Sequence, residues 1–274
     1  MADVSVSPQL FALFAALVEE TCGLHYGPRD HDILAAKLTA HVADQGEDSL
    51  LDYYYRLRYD DPDGVERTRL LDALLVHETY FFRELPPLQQ LVDGYLAERV
   101  RAGGRPRVWS AACATGEEPL TLAMLLDQRG MLDAVDLLAT DVSANAIARA
   151  RSGKHGRRSL RDGHPAELAG RYLDATAREI TVTPRIQAAV RFGTANLVDD
   201  AAVTALGRFD VIVCRNVLIY FRDELVARVV ERLARSLEAD GVLVVGVSES
   251  LLRYSTTLAC EERGHSFFYR RRAA

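Results

Sequence analysis

The sequence predicts an α/β protein in which a Rossmann-like, largely parallel sheet follows a small all-helical domain. Residues 1–84 carry apolar side chains at helical spacing, in four runs separated by short polar stretches. From Arg105 onward, short apolar runs alternate with helical patterns, which is typical of a parallel sheet covered by helices. A third observation is the stretch Val108–Pro119, which has the pattern of a strand, a turn of small residues and a helix start.

Four helices are predicted in the first domain, each from an apolar face and a residue that favours a helix end. Short connections between them indicate a small bundle. The first runs through Leu10–Val18 and stops near Gly23, the second follows an Asp30 cap and stops near Gly46, the third spans Leu50–Tyr59 after a Ser49 cap, and the fourth is Val65–Val76.

The segment His77–Glu84, with the sequence HETYFFRE, interrupts this helical pattern. We expect Phe81 and Phe82 in a core, whereas Arg83, a guanidinium beside aromatic rings, is a candidate ligand for a carboxylate. Pro86-Pro87 then begins a linker helix, Leu88–Val100. The predicted division is therefore a helical domain at 1–84, a linker at 85–104 and a sheet domain at 105–274.

The turn of small residues after the first predicted strand, Arg107–Ser110, is a candidate ligand site. It leads into Glu117 and Glu118, and a second predicted strand, Val135–Thr140, ends in Asp141. An acid at that place is suited to binding ribose hydroxyls. The turn lacks the glycine pattern of dinucleotide sites and the lysine of phosphate loops. Its carboxylates would suit a ligand with hydroxyls and positive charge, such as S-adenosylmethionine, and the alternative is an ordinary turn with solvent-facing acids.

The rest of the second domain continues the alternation of strands and helices. Residues 152–178 are charged and predicted irregular, and Ile180–Val182 with Val190–Phe192 suggests a small antiparallel flap at about 176–193. Further elements are a buried strand at Phe209–Cys214, an amphipathic helix at Asp223–Leu237, a strand at Gly241–Val247 and a last antiparallel strand at His265–Arg270.

Composition excludes several classes of protein. A net charge of −6 argues against a nucleic-acid binder that works through a general basic field. The four cysteines share no metal-type spacing, so we expect no metal site and reduced thiols, as in a cytoplasmic protein. The apolar run Leu10–Val18 is too short to span a bilayer, and we expect no signal peptide and no membrane insertion.

Seven short motifs occur in order over about two hundred residues. They are TYFFRE at 79–84, WSAACATGEEP at 109–119, ATD at 139–141, ARSG at 150–153, NL at 196–197, CRNVLIYF at 214–221 and SES at 248–250. Together they resemble the CheR family of S-adenosylmethionine-dependent methyltransferases, which esterify glutamates on bacterial chemoreceptors. The resemblance implies a class I methyltransferase sheet with a helical N-terminal domain, and S-adenosylmethionine as cofactor.

The resemblance also implies a set of site residues. Asp141 would hold the ribose, Arg83 would meet the methionyl carboxylate or sit beside the transferred methyl, and Tyr220 would lie near that methyl, with a core aromatic as its alternative. Of Glu117 and Glu118 we choose Glu118. The implied cofactor-binding residues are His77, where the family often has asparagine, Thr79, Arg83, Glu118, Asp141, Asn196, Leu197, Arg215 and Asn216.

The implied partner is the cytoplasmic helical domain of chemoreceptors, met by a monomer. Some family members dock a C-terminal receptor pentapeptide on a glycine-bearing flap loop, but Arg171–Phe192 contains no glycine, so we expect pentapeptide-independent recognition. Docking would then fall on Arg56, Arg58, Arg67 and Arg69, whose alternative is a solvated helix face. Two rival hypotheses are a methyltransferase with another substrate, and a cofactor-sensing scaffold without turnover.

Overall fold

The computed structural model describes residues 6–47, 49–254, 256–263 and 266–271. It separates into two units, Met1–Val76 with Tyr220–Arg222, and His77–Ile219 with Asp223–Ala274. The predicted functional division at residues 84 and 104 stays a prediction. Among the described residues, no helix has the length and apolar character needed to cross a membrane.

Four helices form the first unit, close to the predicted bounds. Ser49 Oγ accepts from the amide of Asp52, as its predicted capping role requires, whereas the Asp30 carboxylate accepts from the Gly27 amide and does not cap the helix that follows. Tyr53 and Phe14 are fully buried between the helices. The helices are α1 (Pro8–Cys22), α2 (His31–Asp44), α3 (Leu50–Tyr59) and α4 (Val65–Leu74).

The helical stretch predicted as a linker is part of the second unit. It consists of α5 (Leu85–Gln90), a π-helical turn at Leu91–Leu96 and α6 (Ala97–Arg101). Tyr95 on this stretch donates to the carbonyls of Asp210 and Asp240. The stretch is therefore packed and hydrogen-bonded against the sheet of its own unit.

A seven-stranded sheet forms the centre of the second unit, in the order β6-β2-β1-β7-β8-β10-β9. The first five of these strands run parallel, and β10 is antiparallel to both of its neighbours. The fold class predicted from the sequence is thereby confirmed. The strands are β1 (Arg107–Ala111), β2 (Asp136–Asp141), β6 (Val190–Thr194), β7 (Phe209–Cys214), β8 (Leu237–Val245), β9 (Leu258–Arg263) and β10 (Ser266–Arg271).

Helices cover both faces of this sheet, and β1, β2 and β7 are therefore largely buried on both sides. Trp109 of β1 is fully buried, and its indole nitrogen donates to Thr140 Oγ1 at 2.9 Å, so the central strands contain no unpaired polar group at this point. The helices are α7 (Glu117–Gln128), α8 (Ala144–Ser152), α9 (Ala166–Tyr172), α10 (Pro184–Ala188), α11 (Asp200–Ala205) and α12 (Asp223–Arg235).

The predicted flap is wrong in its composition. The small antiparallel sheet consists of β3 (Lys154–Gly156), β5 (Glu179–Val182) and β4 (Leu173–Ala175), in the order β3-β5-β4. Val190–Thr194 pairs in parallel with β2 of the large sheet instead. Helix α10, which starts at Pro184, converts the expected hairpin into a crossover, and residues 152–178 are more regular than predicted.

The C-terminal part of the sheet contains one strand that was not predicted and one that was. Leu258–Arg263 forms the edge strand β9, which the sequence analysis missed, and its alternation of buried and exposed residues is weak. The last strand was predicted from His265, which lies outside the described residues, and its described part is Ser266–Arg271. As predicted, this strand is antiparallel to its neighbours.

Candidate functional site

The loop between β1 and α7 has an unusual backbone because three of its residues have positive φ. These are Ala112 (57°), Ala114 (48°) and Gly116 (93°). A Cβ on Gly116 would lie 2.9 Å from the Cβ of Ala150 and 3.1 Å from the Phe192 ring. Packing against the unit's own interior therefore requires glycine at 116.

Asp141, at the carboxyl end of β2, holds this loop in place. Its Oδ2 accepts from the amide of Ala114 at 2.8 Å, and its Oδ1 accepts from the amide of Ser143 at 2.9 Å. The residue is only 7% exposed. A carboxylate has about four acceptor positions, and backbone amides of the loop and of the turn after β2 occupy two of them. Its predicted contact with the ribose stays a prediction.

A chain of three charged side chains joins the ends of β1 and β7. Arg215 donates from Nη1 to Glu118 Oε2 at 3.0 Å and from Nη2 to Glu84 Oε2 at 2.9 Å. Ser110 Oγ donates to the other Glu118 oxygen at 2.7 Å. Burial raises the pKa of Glu118, and although Arg215 and Ser110 oppose this shift, the pKa stays above its ordinary value. Ser110 and Arg215 therefore orient Glu118, and its buried carboxylate favours a positive charge nearby.

The net pKa shift of Glu84 is opposite to that of Glu118, although Arg215 lowers the pKa of both. Burial raises the pKa of Glu84, but the charge and hydrogen bonds of Arg215, with a hydrogen bond from Asn216, outweigh it and hold the pKa below its ordinary value. Glu84 is also held by the Val247 amide. The Arg215 side chain, 1% exposed, is therefore shared by two carboxylates.

Glu249 supports the turn that follows β7. It accepts from the amides of Asn216 at 2.6 Å, Gly246 at 2.8 Å and Ile219 at 3.3 Å. Asn216 has a positive φ of 59°. A Cβ on Gly246 would come within 2.7 Å of the Glu249 carboxylate. This buried acid therefore fixes the backbone on which the predicted cofactor residues Arg215 and Asn216 stand.

Glu117 belongs to a separate buried cluster. His155 Nδ1 lies 3.0 Å from Glu117 Oε1, and Ser159 and Thr115 donate to the same carboxylate at 2.8 Å and 2.7 Å. Burial raises the pKa of Glu117, but these bonds and the charge of His155 outweigh it and lower the pKa below its ordinary value. His155 is on β3 and is 5% exposed.

The two adjacent glutamates therefore face different surroundings. Glu117 is bound into the cluster with His155, and Glu118 joins Ser110 and Arg215 at the strand ends. This arrangement supports Glu118 as the cofactor residue, which stays a prediction. Successive residues of an α-helix are rotated by about 100° around its axis, so the side chains of Glu117 and Glu118 point to different sides of α7.

The segment 79–84 enters the site through a strained turn. Phe82 and Glu84 have positive φ values of 65° and 46°, although neither is glycine. As predicted, Phe81 and Phe82 are buried, at 1% and 7% exposure. Burial of these rings in the core of the unit keeps the turn in its unfavourable conformation, since such backbone persists only where the surroundings over-determine it.

Arg83 leaves this turn in a partly constrained position. Its Nη1 donates to the carbonyl of Glu78 at 2.9 Å, and its guanidinium lies 5.6 Å from the centroid of the Tyr80 ring. His77 and Thr79 lie on the wall of a neighbouring cavity. The cofactor roles predicted for these three residues stay predictions.

The remaining predicted residues divide between the two units. Asn196 and Leu197 follow β6, where the Ala195 amide donates to the carbonyl of Asp141, so they start beside the ribose-binding candidate. Tyr220 belongs to the helical unit, and its carbonyl accepts from the amide of His25 at 2.9 Å. Its predicted position near the transferred methyl stays a prediction.

The sequence-predicted residues that the structure brings together fit an adenosyl sulfonium ligand. Asp141 offers acceptors for hydroxyls, and Glu118 offers a buried carboxylate of raised pKa for positive charge. They stand at the carboxyl ends of parallel strands, where open α/β sheets bind ligands. Glu84 and Glu249 were missed as functional residues, although both lie inside quoted motifs, because the role of a supporting acid is not visible in a motif.

The four arginines predicted to dock a partner all have acidic neighbours within the helical unit. Arg56 pairs with Glu47 and Glu66, and the others are also in ion pairs. Their charge is thus compensated locally, which weakens the expectation of docking through them, although it stays a prediction. The other pairs are Arg58 with Glu20, Arg67 with Asp61 and Arg69 with Glu66.

The chain is similar to known methyltransferases over most of its length. Residues 77–265 match the family described as "CheR methyltransferase, SAM binding domain". Chemotaxis protein methyltransferase 1 of Pseudomonas aeruginosa is 35% identical over 250 residues, which cover 88% of this chain and 90% of that protein. The chemotaxis protein methyltransferase of Vibrio parahaemolyticus is 34% identical over 261 residues, or 92% of each.

A third relative is described by a role in biofilm formation. The probable biofilm formation methyltransferase WspC of Pseudomonas putida is 33% identical over 244 residues, which cover 87% of this chain and 56% of that protein. The extent of the family match and the identity to these relatives are sufficient to assign the chain. It belongs to the CheR family of S-adenosylmethionine-binding methyltransferases.

Proposed function

We propose that this enzyme transfers a methyl group from S-adenosylmethionine to the side-chain carboxylates of specific glutamates on chemoreceptors, giving glutamate methyl esters in the cytoplasm. The acceptor would lie on the cytoplasmic helical domain of the receptor, and the enzyme would act as a monomer. The family supports methyl transfer, and the receptor glutamate is the finer part of the proposal.

The observation that carries the proposal is the state of the carboxylates in the site. Asp141 is held by two backbone amides, Glu118 by Ser110 and Arg215, and Glu84 by Arg215. Such engaged acids are suited to positioning and attracting a cation. An acceptor that is already ionised at pH 7, such as a glutamate side chain, requires no general base.

The remaining work of the chain is positioning. When bound, S-adenosylmethionine supplies a methyl group that is already activated by its sulfonium. The Arg215 network fixes Glu118 at one strand end, and Asp141 fixes the loop at the next. Holding two reactants in line for displacement is worth several kcal/mol, of the order of 7–11 at best.

Pentapeptide independence is supported by the connection between β4 and β5. Only residues 176–178 join the two strands, and none is glycine. The Thr176 amide donates to the carbonyl of Glu179, and its Oγ1 accepts from the Glu179 amide at 3.1 Å. A turn closed by its own hydrogen bonds offers no long loop for a docking peptide.

Transfer to tailed and tailless receptor tests the substrate. Radiolabelled S-adenosylmethionine should label receptor-enriched membranes with methyl groups that alkali releases, as expected of esters. Equal initial rates on receptor with and without its C-terminal tail are expected, and a receptor whose acceptor glutamates are glutamine should stay unlabelled. Label that resists alkali would contradict esterification, and a large loss on removing the tail would contradict pentapeptide independence.

Arg83 should be required for transfer in its arginine form. Because the segment 79–84 places Arg83 beside the predicted cofactor residues, Arg83→Ala should lower the initial rate by about a hundredfold or more. Arg83→Lys should recover little, because a point charge replaces a planar fork. Initial rates and melting temperatures of both variants are the measurements.

A matched control separates this effect from loss of a stacked arginine in general. Arg99 also lies over a tyrosine ring, that of Tyr95 at 4.6 Å, and pairs with Asp210 at the opposite end of β7. Arg99→Lys should leave the transfer rate close to that of the unaltered enzyme. Near-normal turnover of Arg83→Lys would exclude a fork-like contact.

A further inference from the structure

A cavity of about 440 Å³ lies beside the loop that precedes α7, and its wall is strongly basic. The loop contributes Thr115 and Glu117 to this wall, so the cavity is adjacent to the predicted cofactor site within the same unit. The basic residues that line it are His77, Arg149, Lys154, His155, Arg158 and Arg161.

The positive charge of this cavity is only partly compensated. Arg161 pairs with Glu78 at 2.7 Å and Lys154 with Glu179 at 3.4 Å. Within the described parts of the chain, no ion pair involves Arg149 or Arg158. The helical unit differs in this respect, since its four candidate docking arginines are all paired with acids. The cavity therefore has the larger uncompensated attraction for carboxylates.

Two buried imidazole nitrogens on the same wall indicate a ligand independently of the charge. His77 Nε2 and His155 Nε2 are buried and have no hydrogen-bond partner among the described residues. The His155 side chain is 1% exposed and is oriented by its Nδ1 contact with Glu117. Buried polar atoms are almost always paired in folded proteins. Because His77 is itself a predicted cofactor residue, the unpaired nitrogen of His155 is the one that points to a partner other than the cofactor.

We propose that this cavity binds acidic side chains of the methyl-accepting protein next to the acceptor glutamate. The inference rests on the proposed function for the identity of that protein, but the chemistry of the cavity concerns carboxylates alone. Arg149 and Arg158 attract the flanking carboxylates, and the His155 imidazole supplies a hydrogen-bonding position in the wall. Through the contact of the cavity with Thr115 and Glu117, a bound acidic segment lies beside the methyl donor.

Charge reversal of the two unpaired arginines tests the proposal. The double variant Arg149→Glu/Arg158→Glu should raise the apparent KM for receptor by about tenfold or more, because each lost attraction is replaced by repulsion. Arg149→Gln/Arg158→Gln should give a smaller rise. The affinity for S-adenosylhomocysteine should change less than about twofold, which is within RT ln 2 or roughly 0.4 kcal/mol.

A matched control has the same change in net charge at other exposed arginines. Arg208 and Arg228 are exposed and do not line the cavity. Arg208→Glu/Arg228→Glu should leave the KM for receptor nearly unchanged, and both double variants should have the melting temperature of the unaltered enzyme. An equal rise of KM in the control would assign the effect to net charge and overturn the proposal.

A binding measurement makes the outcome independent of turnover. A synthetic helical peptide rich in glutamate should bind the S-adenosylhomocysteine-loaded enzyme, and the same peptide with glutamines should bind at least about tenfold more weakly. Arg149→Glu/Arg158→Glu should remove the difference. Unchanged peptide affinity in that variant would overturn the proposal, as would an equal loss of S-adenosylhomocysteine affinity, which would assign the cavity to the cofactor.

The failure of this inference can be told apart from failure of the proposed function. If the unaltered enzyme methylates receptor but the variant has a normal KM, the cavity proposal alone is wrong. If the unaltered enzyme methylates no receptor while the glutamate-rich peptide binds in a manner that depends on Arg149 and Arg158, the cavity still binds carboxylates and only the receptor assignment is wrong.

Discussion

Replacing Arg215 with alanine is expected to lower the free energy of unfolding by about 3–5 kcal/mol, the range for breaking a buried ion pair by removing one partner. Arg215 compensates Glu118 and Glu84 and also donates to the carbonyl of Arg83 at 2.9 Å. Without it, two carboxylates of low exposure, at 14% and 19%, lose their shared cation. Chemical denaturation at pH 7 is the measurement.

The pH dependence of this loss provides a sharper check. In the unaltered protein, Arg215 outweighs burial at Glu84 and lowers the pKa of that carboxyl, so Glu84 stabilises above its unfolded pKa and this stability is lost on acidification. Without Arg215, the Ser110 hydrogen bond alone opposes burial at Glu118, so the pKa of Glu118 rises further and destabilises the fold as pH rises. The difference between the two proteins should therefore shrink from pH 7 to pH 4.

Two controls accompany the Arg215 variant. Arg228→Ala, on the exposed face of α12, should cost less than about 0.5 kcal/mol, as surface substitutions usually do. Arg215→Lys should restore one ion pair and leave the second carboxylate uncompensated, with an intermediate loss. A loss below about 1 kcal/mol in Arg215→Ala, or one that does not depend on pH, would contradict the three-charge arrangement.

Replacing Asp141 with alanine should weaken the binding of S-adenosylmethionine by about 2–3 kcal/mol, or roughly 30-fold to 150-fold. The predicted ribose contact is lost, and the Ala114 and Ser143 amides lose the acceptors that hold the loop. Asp141→Asn should bind the cofactor nearly as weakly. The NH2 group of asparagine would face one of the two backbone N–H groups and could not accept a hydrogen bond from it. Calorimetric titration with S-adenosylhomocysteine is the measurement.

The other end of the same strand supplies the control for Asp141. Asp136 begins β2 and pairs with Arg105 at 3.0 Å, with a partly exposed side chain. Asp136→Ala removes a carboxylate from the same strand without touching the loop, and cofactor affinity should stay within about twofold of the original. Unchanged affinity in Asp141→Ala would exclude the ribose assignment and limit Asp141 to its structural bonds.

Short-range patterns account for the parts of the fold that were predicted well. The bounds of α3 and β7 match the predictions for Leu50–Tyr59 and Phe209–Cys214. An N-cap serine with an apolar helical face, or an unbroken apolar run, contains most of the information for such an element within a few residues. The placement of candidate residues at strand ends followed from the same patterns and the parallel order of the strands.

Long-range partners could not be predicted in this way. Val190–Thr194 has a strand pattern in either sheet, and only its pairing with β2 decides that it is part of the large one. Likewise, Glu84 and Arg215 are 131 residues apart, and their bond depends on the turn at Phe82 and Glu84 with its positive φ values. Pairing over such separations depends on the whole packed unit rather than on local preference.

The sequence by itself therefore determined the class of sheet, the family motifs and the acid at the end of β2. Only the tertiary structure decided that Glu117 joins His155 while Glu118 joins Arg215, and that the cavity beside them contains two unpaired arginines. Neighbouring residues on a helix point in different directions, and what each meets is set by distant segments. Burial and charge compensation depend on the assembled fold and cannot be read from neighbouring residues in the sequence.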